Sequence, residues 1–259
     1  MMNEAAKVRA QIRAGKLSSP TAGLALGHVQ ANLAIVTRDL AYDFLLFSQR
    51  NPKACPILDV TDVGSPVPKL MAPDADIRYD LPKYFVYKDG VKTDELTNIE
   101  KIWQDDFVAF LIGCSFSFET AMLNAGLPVR HIEENRNVPM YITNIDCIPA
   151  GKFHGQMVCS MRPLKPKDAI RAVQVTSRFP AVHGAPVHIG SPEDIGIKDI
   201  MKPDFGDQPV IKESEIPMFW ACGVTPQAVA MASKPPVMIT HAPGHMFICD
   251  KKDEDFSIL

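Results

Sequence analysis

Apolar side chains recur at helical spacing over Glu4 to Ala14 and again over Arg38 to Arg50, which predicts two amphipathic helices. Asn3 can cap the first, Gly15 can stop it, and Pro52 closes the second. Between them, Gly27-His28-Val29-Gln30-Ala31-Asn32-Leu33 mixes polar and apolar residues with neither a helical nor a strand period, and its geometry stays open. Ile57 to Val60 predicts a short strand. A Pro-rich connection follows, then Tyr84-Phe85-Val86-Tyr87 ahead of Asp89-Gly90, the turn pair of a hairpin.

From Phe107 a continuous apolar run to Ile112 predicts a buried strand, and Phe116 to Ala125 a short helix ending at Gly126, together half of a βαβ unit. Further strands are expected at Val138 to Ile145, Gln156 to Arg162 and Ala185 to Ile189, with a helix over Lys167 to Arg178. The chain then returns to strand, helix and strand: Met218 to Ala221, Thr225 to Ser233, Val237 to Thr240 and Met246 to Cys249. These elements predict an α/β fold, with a three-layer α/β/α main domain from residues 1–130 and 196–259 and an inserted two-layer α+β domain at 131–195.

One internal correspondence stands out. Phe107 to Glu119 and the stretch ending at Gln227 align without a gap when Cys114 is set on Cys222, an offset of 108 (222 minus 114). The register also pairs Ser117 with Thr225, Glu119 with Gln227 and Pro128 with Pro236. Both copies read apolar strand, cysteine, small residue, hydroxyl, helix, and Thr225 followed by Pro226 predicts an N-cap and first helical position. Each thiol would sit just before a helix N-terminus, where free N–H groups favour negative charge and can lower a thiol pKa. The plainer reading is two like strand-to-helix units of one sheet, with cysteine as a small buried apolar residue.

Composition narrows the field of functions. With 259 residues, 46% hydrophobic and 22% charged, the chain has ordinary globular composition. A net charge of −3 gives no global attraction for nucleic acid or an anionic membrane, so neither is expected as a partner. The N-terminus carries acids and bases without a long apolar run, which points to a cytoplasmic protein. Six cysteines without a CxxC pair suit reduced thiols better than disulfides or structural zinc. A homo-oligomer is expected from base rates alone.

Several polar segments form a set: Gln30-Ala31-Asn32-Leu33, Phe47 to Pro52, Gly113 to Glu119, Val129 to Tyr141, Ser177 to His188, Trp220 to Gln227, and Thr240 to Met246. Together, from about residue 17 to 250, they closely resemble the D-glutamate cyclase family. The resemblance implies a hydro-lyase that removes water from D-glutamate to give 5-oxo-D-proline, acting on a small amino acid or dicarboxylate. No cofactor is expected, and the resemblance brings no settled set of catalytic residues.

Read by themselves, the residues suit such chemistry. Arg130, Arg136, Arg162 and Arg178 offer planar forks for substrate carboxylates, with Arg130 and Arg136 the preferred pair, against a plain role in surface or interdomain ion pairs. His241 and His245 are spaced as a helical zinc pair would be, but Pro243 and Gly244 between them argue against a metal, leaving either as a general acid or base. His183 is a candidate for substrate binding, or simply holds backbone in a turn. In the resulting scheme an arginine fixes the α-carboxylate, and Glu119 or His241 takes the amine proton. N–H groups after Cys114 or Cys222 stabilise the oxyanion, with Ser115 and Thr225 counted among the catalytic residues and Gly223 among those that bind substrate. A variant forms a thioester on one cysteine. The alternatives are a cofactor-independent racemase using both cysteines, and a noncatalytic amino-acid-binding protein.

Overall fold

The computed structural model describes residues 2–258; the outermost positions of the expected main domain, 1 and 259, lie outside them. Helix α1 (Glu4–Arg13) is capped as its sequence predicts, the Asn3 side chain accepting the Ala6 N–H at 2.7 Å. Strand β1 (His28–Thr37) occupies the stretch whose geometry the sequence left open. Its odd positions Val29, Ala31, Leu33 and Ile35 enter one core, while Ala34 and Val36 enter another. Gln30 and Asn32 share the second parity, so polar side chains fill interior positions and mask the period. Helix α2 (Arg38–Arg50) seats Phe44 edge-on against Phe110 and Phe153, with ring centroids 4.8 and 5.2 Å apart.

The remaining elements of the first half are β2 (Ile57–Val60), β3 (Tyr84–Lys88), β4 (Val91–Leu96), β5 (Phe107–Gly113), α3 (Phe116–Asn124), α4 (Arg130–Glu133) and β6 (Met140–Asp146). Asp89 and Gly90 both take positive φ (49° and 81°), the mirror-image turn that the β3–β4 hairpin requires. The second half supplies β7 (Gln156–Leu164), α5 (Pro166–Thr176), β8 (His188–Ile189), β9 (Ile216–Ala221), α6 (Thr225–Ser233), β10 (Met238–His241) and β11 (Phe247–Lys252). Two sheets result. The first runs β2-β5-β1-β10-β3-β4 with β11 also on β1, and the second runs β6-β7-β9-β8.

All these pairings are antiparallel, which corrects the expected βαβ unit: β5 lies antiparallel to both neighbours, β1 and β2, and α3 leads into the other sheet. The continuous apolar run of β5 comes from burial on both faces rather than from parallel pairing. Helices α2 and α6 cover one face of the first sheet, while the opposite face is closed by the connection from Met71 to Leu81 and by Ile99. The expected boundary at residue 195 falls inside the second sheet, because β9 pairs along its whole length with β7. Among the described residues no helix is long and apolar enough to cross a membrane.

The internal correspondence extends well beyond the cysteines. In the first sheet Ala31, Asn32, Leu33 and Ala34 pair with Gly113, Ile112, Leu111 and Phe110. In the second, Cys159, Ser160, Met161 and Arg162 pair with Ala221, Trp220, Phe219 and Met218. One strand is displaced by 128 (159 minus 31) and its partner by 108 (221 minus 113), so the two halves share the same register. Each half also sends its later elements to the other. After Cys114 the chain leaves the first sheet, packs Phe118 and Met122 of α3 over the second, and adds β6 to it. After Cys222 it leaves the second sheet, packs Val229 and Ala230 of α6 over the first, and adds β10 to it. The two strand-to-helix units therefore belong to different sheets, correcting the one-sheet reading.

Candidate functional site

The two crossing points, Cys114-Ser115 and Cys222-Gly223, meet in one apolar cluster with Phe116, Val138, Met140, Val158, Val224 and Met246. Cys114 Sγ accepts the N–H of Phe116 at 3.4 Å, and Cys222 likewise takes the N–H of Val224. The hydroxyls behave as a matched pair. Ser117 Oγ accepts the Gln30 N–H at 3.0 Å, and Thr225 Oγ1 accepts the Val158 N–H at 3.1 Å, so each tethers its helix to the strand beside it. Thr225 is thus not the N-cap that its sequence position suggests. It lies inside α6 and donates to the Cys222 carbonyl at 2.7 Å.

The halves differ where side chains fill the space between the crossings. Asn32 donates to the Gly113 carbonyl at 2.6 Å, and a Cβ on Gly223 would lie 1.8 Å from its Nδ2. Only glycine fits at that position. At the equivalent place in the other half Asn32 is replaced by the smaller Ser160, and Gly223 by Ser115, which has room for a side chain. Ala34 is replaced by Arg162 and Gln227 by Glu119.

Arg162 is buried and its hydrogen bonds are shared out. Its Nε donates to Glu119 Oε1 at 3.0 Å, Nη1 to Ser160 Oγ at 3.1 Å, and Nη2 to Ser115 Oγ at 3.0 Å and to Glu119. Its guanidinium is flanked by the rings of Phe118 and Trp220, each 5.4 Å away. His131 Nε2 lies 3.1 Å from the same Glu119 oxygen, and its ring stacks on Phe116. Burial alone would raise the Glu119 pKa, but His131 and Arg162 outweigh it and hold the carboxyl below the ordinary range. Gln227 hydrogen-bonds to neutral groups, donating to the His241 carbonyl at 2.7 Å and accepting from Tyr87 Oη at 3.4 Å.

Burial also decides the state of the thiols. It pushes the Cys114 thiol well above its usual value and Cys222 to about 11, in each case against the helix-start N–H that lowers it. The lowering expected from helix position is thereby overturned: with the thiols 5% and 6% exposed, desolvation wins and both rest as neutral S–H at pH 7.

His241 fills the fork where β1 passes from pairing with β10 to pairing with β11, and its Nδ1 accepts the Leu33 N–H at 3.2 Å. Its Nε2 is buried with no hydrogen-bond partner among the described residues, while His183 Nδ1 contacts the Lys53 carbonyl at 2.9 Å. Burial lowers both imidazoles to about 4, so neither is poised near neutral pH as expected for His241. His245 Nδ1 is held by the Pro243 carbonyl, and its pKa is likewise lowered by burial. The turn before His183 closes over the end of β5, where a Cβ on Gly113 would lie 2.2 Å from the Ala181 carbonyl oxygen.

The structure thus brings together Cys114, Ser115, Glu119, Cys222, Gly223 and Thr225, with His183 and His241 at the adjoining strand ends. Arg130 is spent on Glu215, at 2.6 and 3.2 Å, and on Glu133 at 3.2 Å. Arg136 is exposed and reaches the Gln208 carbonyl. Arg178 is also exposed and borders a separate cavity with Thr120 and Asp253. The residues missed as candidates are Asn32, His131 and Ser160, while Arg162 was ranked below Arg130 and Arg136. A charged residue inside the apolar run Cys159-Ser160-Met161-Arg162 was the available signal.

The profile of the D-glutamate cyclase family matches residues 108–250, a stretch containing both crossings. A protein of Bacillus licheniformis named a "putative hydro-lyase" is 66% identical over 98% of this chain and 97% of its own length. One of Bacillus subtilis with the same description is 64% identical over 97% and 98%. Another, of Psychrobacter arcticus, is 63% identical over 98% and 96%. Among solved structures, a nitrogen repressor-like protein of Methanococcus jannaschii aligns over 98% of this chain and 100% of that one, with a TM-score of 0.39 and 10% identity, too distant to carry an inference. A profile spanning more than half of the chain and near-full-length relatives at such identity agree, and the chain belongs to the D-glutamate cyclase family.

Proposed function

We propose that the chain is a hydro-lyase that closes D-glutamate, or a closely related amino dicarboxylate, into its lactam with loss of water; for D-glutamate the product is 5-oxo-D-proline. The observation that carries this reading is the meeting of two thiols and the starts of two helices in one buried cluster beside the Arg162–Glu119 pair. Family membership supports it.

Lactam closure joins the α-nitrogen to the γ-carboxyl carbon and expels one carboxyl oxygen as water. Both protons of that water come from the nitrogen, so no net acid or base is consumed. The site must therefore bind the zwitterion, exclude bulk water and carry protons from nitrogen to oxygen. The N–H groups at the starts of α3 and α6, of which those of Phe116 and Val224 rest on the thiols, suit the tetrahedral oxyanion once they are turned to it. Neutral thiols suit proton transfer in a site too dry to hold an isolated charge. With Glu119 held ionised by Arg162, its role is to orient Arg162, Ser115 and His131.

Cys114 and Cys222 are buried, at 5% and 6% exposure, and offer a substrate no open approach in this state. Substrate entry then requires the surrounding connections to open, a familiar demand of sites that exclude water. The test is proton NMR of purified protein with D- and L-glutamate in deuterated buffer. The proposal expects lactam from the D isomer without exchange at Cα. Failure to form lactam from either isomer would overturn it.

The meeting of two thiols from equivalent crossings favours one other reading, a racemase in which one thiol removes the α-proton and the other returns one. In the same spectra it would show deuterium uptake at Cα without lactam.

A further inference from the structure

The two crossings are equivalent in backbone and register but not in charge. On α3, one turn after Cys114, stands the carboxylate Glu119; on α6, at the matching position after Cys222, stands the amide Gln227. A carboxylate beside a thiol opposes loss of the thiol proton, whereas an amide does not. We propose that the equivalent thiols have fixed and opposite roles: Cys222 is the one that gives up its proton and accepts from the substrate nitrogen, and Cys114 stays protonated and donates to the departing oxygen. This rests on the lactam-closing function proposed above.

The step balances. The zwitterion first passes one ammonium proton to its own γ-carboxylate, leaving a free amine and a carboxylic acid. The amine attacks the γ-carboxyl carbon, forming the C–N bond and an oxyanion. Cys114 S–H gives its proton to the hydroxyl, the C–O bond breaks, and water leaves as the carbonyl re-forms. Cys222 S–H passes its proton to the Cys114 thiolate within their shared cluster and, as thiolate, takes the surplus proton from the ring nitrogen, so both thiols end neutral as they began.

The groups facing each thiol support this order. Cys114 has Glu119 on the helix that follows it, Arg162 on β7 and Cys222 across the crossing; Cys222 has Arg162 on β7 and, among the described residues, no carboxylate, with the neutral thiols Cys159 and Cys55 beyond it. Arg162 favours ionisation of either thiol; burial first and then Cys222 oppose that of Cys114, and Glu119 adds the opposing charge that has no counterpart on α6.

The test needs no substrate. The full-length protein is treated with iodoacetamide from pH 7 to 11, and labelling at each cysteine is followed by peptide mass spectrometry. The thiols are equally buried, so the difference in thiolate fraction sets the order; one pKa unit corresponds to about tenfold. Cys222 is expected to label about tenfold faster than Cys114 at each pH. In E119Q the Cys114 rate should rise toward that of Cys222, while Cys222 stays within about twofold. Equal rates, or Cys114 labelling first, would overturn the assignment, as would a folded E119Q protein with an unchanged Cys114 rate. If E119Q does not fold, the wild-type order alone decides. Since labelling proceeds without substrate, its outcome is separate from whether D-glutamate is turned over.

Discussion

Glu119 and Arg162 are 1% exposed each, so neither charge is sustained in the interior without the other. Removing one partner strands the other, and Arg162→Met is expected to cost about 3–5 kcal/mol in urea unfolding. Adding Glu119→Gln should restore much of that loss, because an uncharged pair needs no compensation; a double variant as unstable as the single one would contradict the coupling. The buried imidazoles set a different window. His183 and His241 have pKa values lowered to about 4, so the folded state resists their protonation. Their stabilising effect is present in full above the ordinary histidine value near 6.5 and is lost as pH falls from there toward 4. The urea midpoint should decline over that range, and His241→Gln should flatten the decline.

Packing between elements is most exacting where Asn32 of β1 lies against Gly223 ahead of α6. Asn32 is held by the Gly113 carbonyl and cannot move aside, so Gly223→Ala should destabilise the chain by about 1–3 kcal/mol and disturb the start of α6. The other half contains the remedy. Serines at the equivalent positions, Ser160 and Ser115, coexist, so the N32S/G223S double variant should recover stability relative to G223A, as thermal unfolding would show. Several elements were plain in the sequence for physical reasons. Helix α2 follows its apolar period and stops before Pro52, and the β3–β4 turn needs the positive φ that Asp89-Gly90 supplies. β1 was not legible, because Gln30 and Asn32 take interior positions that periodicity assigns to apolar side chains. The thiol-bearing turns were legible because strand, cysteine, hydroxyl and helix recur at one spacing, whereas β1 and β7 share a register but few residue types.

At the scale of the whole molecule, the exchange of α3 with β6 for α6 with β10 makes each half incomplete alone. No local pattern announces this, since periodicity identifies an element and is silent on which sheet it joins. The same exchange explains why the proposed site is placed where it is: both chain crossings must meet, and the thiols mark where they do. A chain split between Gly151 and Lys152 should therefore yield fragments that fold only together. Co-expressed halves are expected to co-purify, while residues 1–151 alone should show no cooperative unfolding; an independently folded first half would contradict the interdependence.

The central claim is that the two crossing cysteines form one active site. It is tested most directly by following lactam formation from D-glutamate with C114A and C222A, each first shown to be folded by circular dichroism. Loss of about a hundredfold or more in turnover is expected from each, the scale of removing a proton-transfer group. A folded variant of either kind that turns over at the wild-type rate would contradict the account.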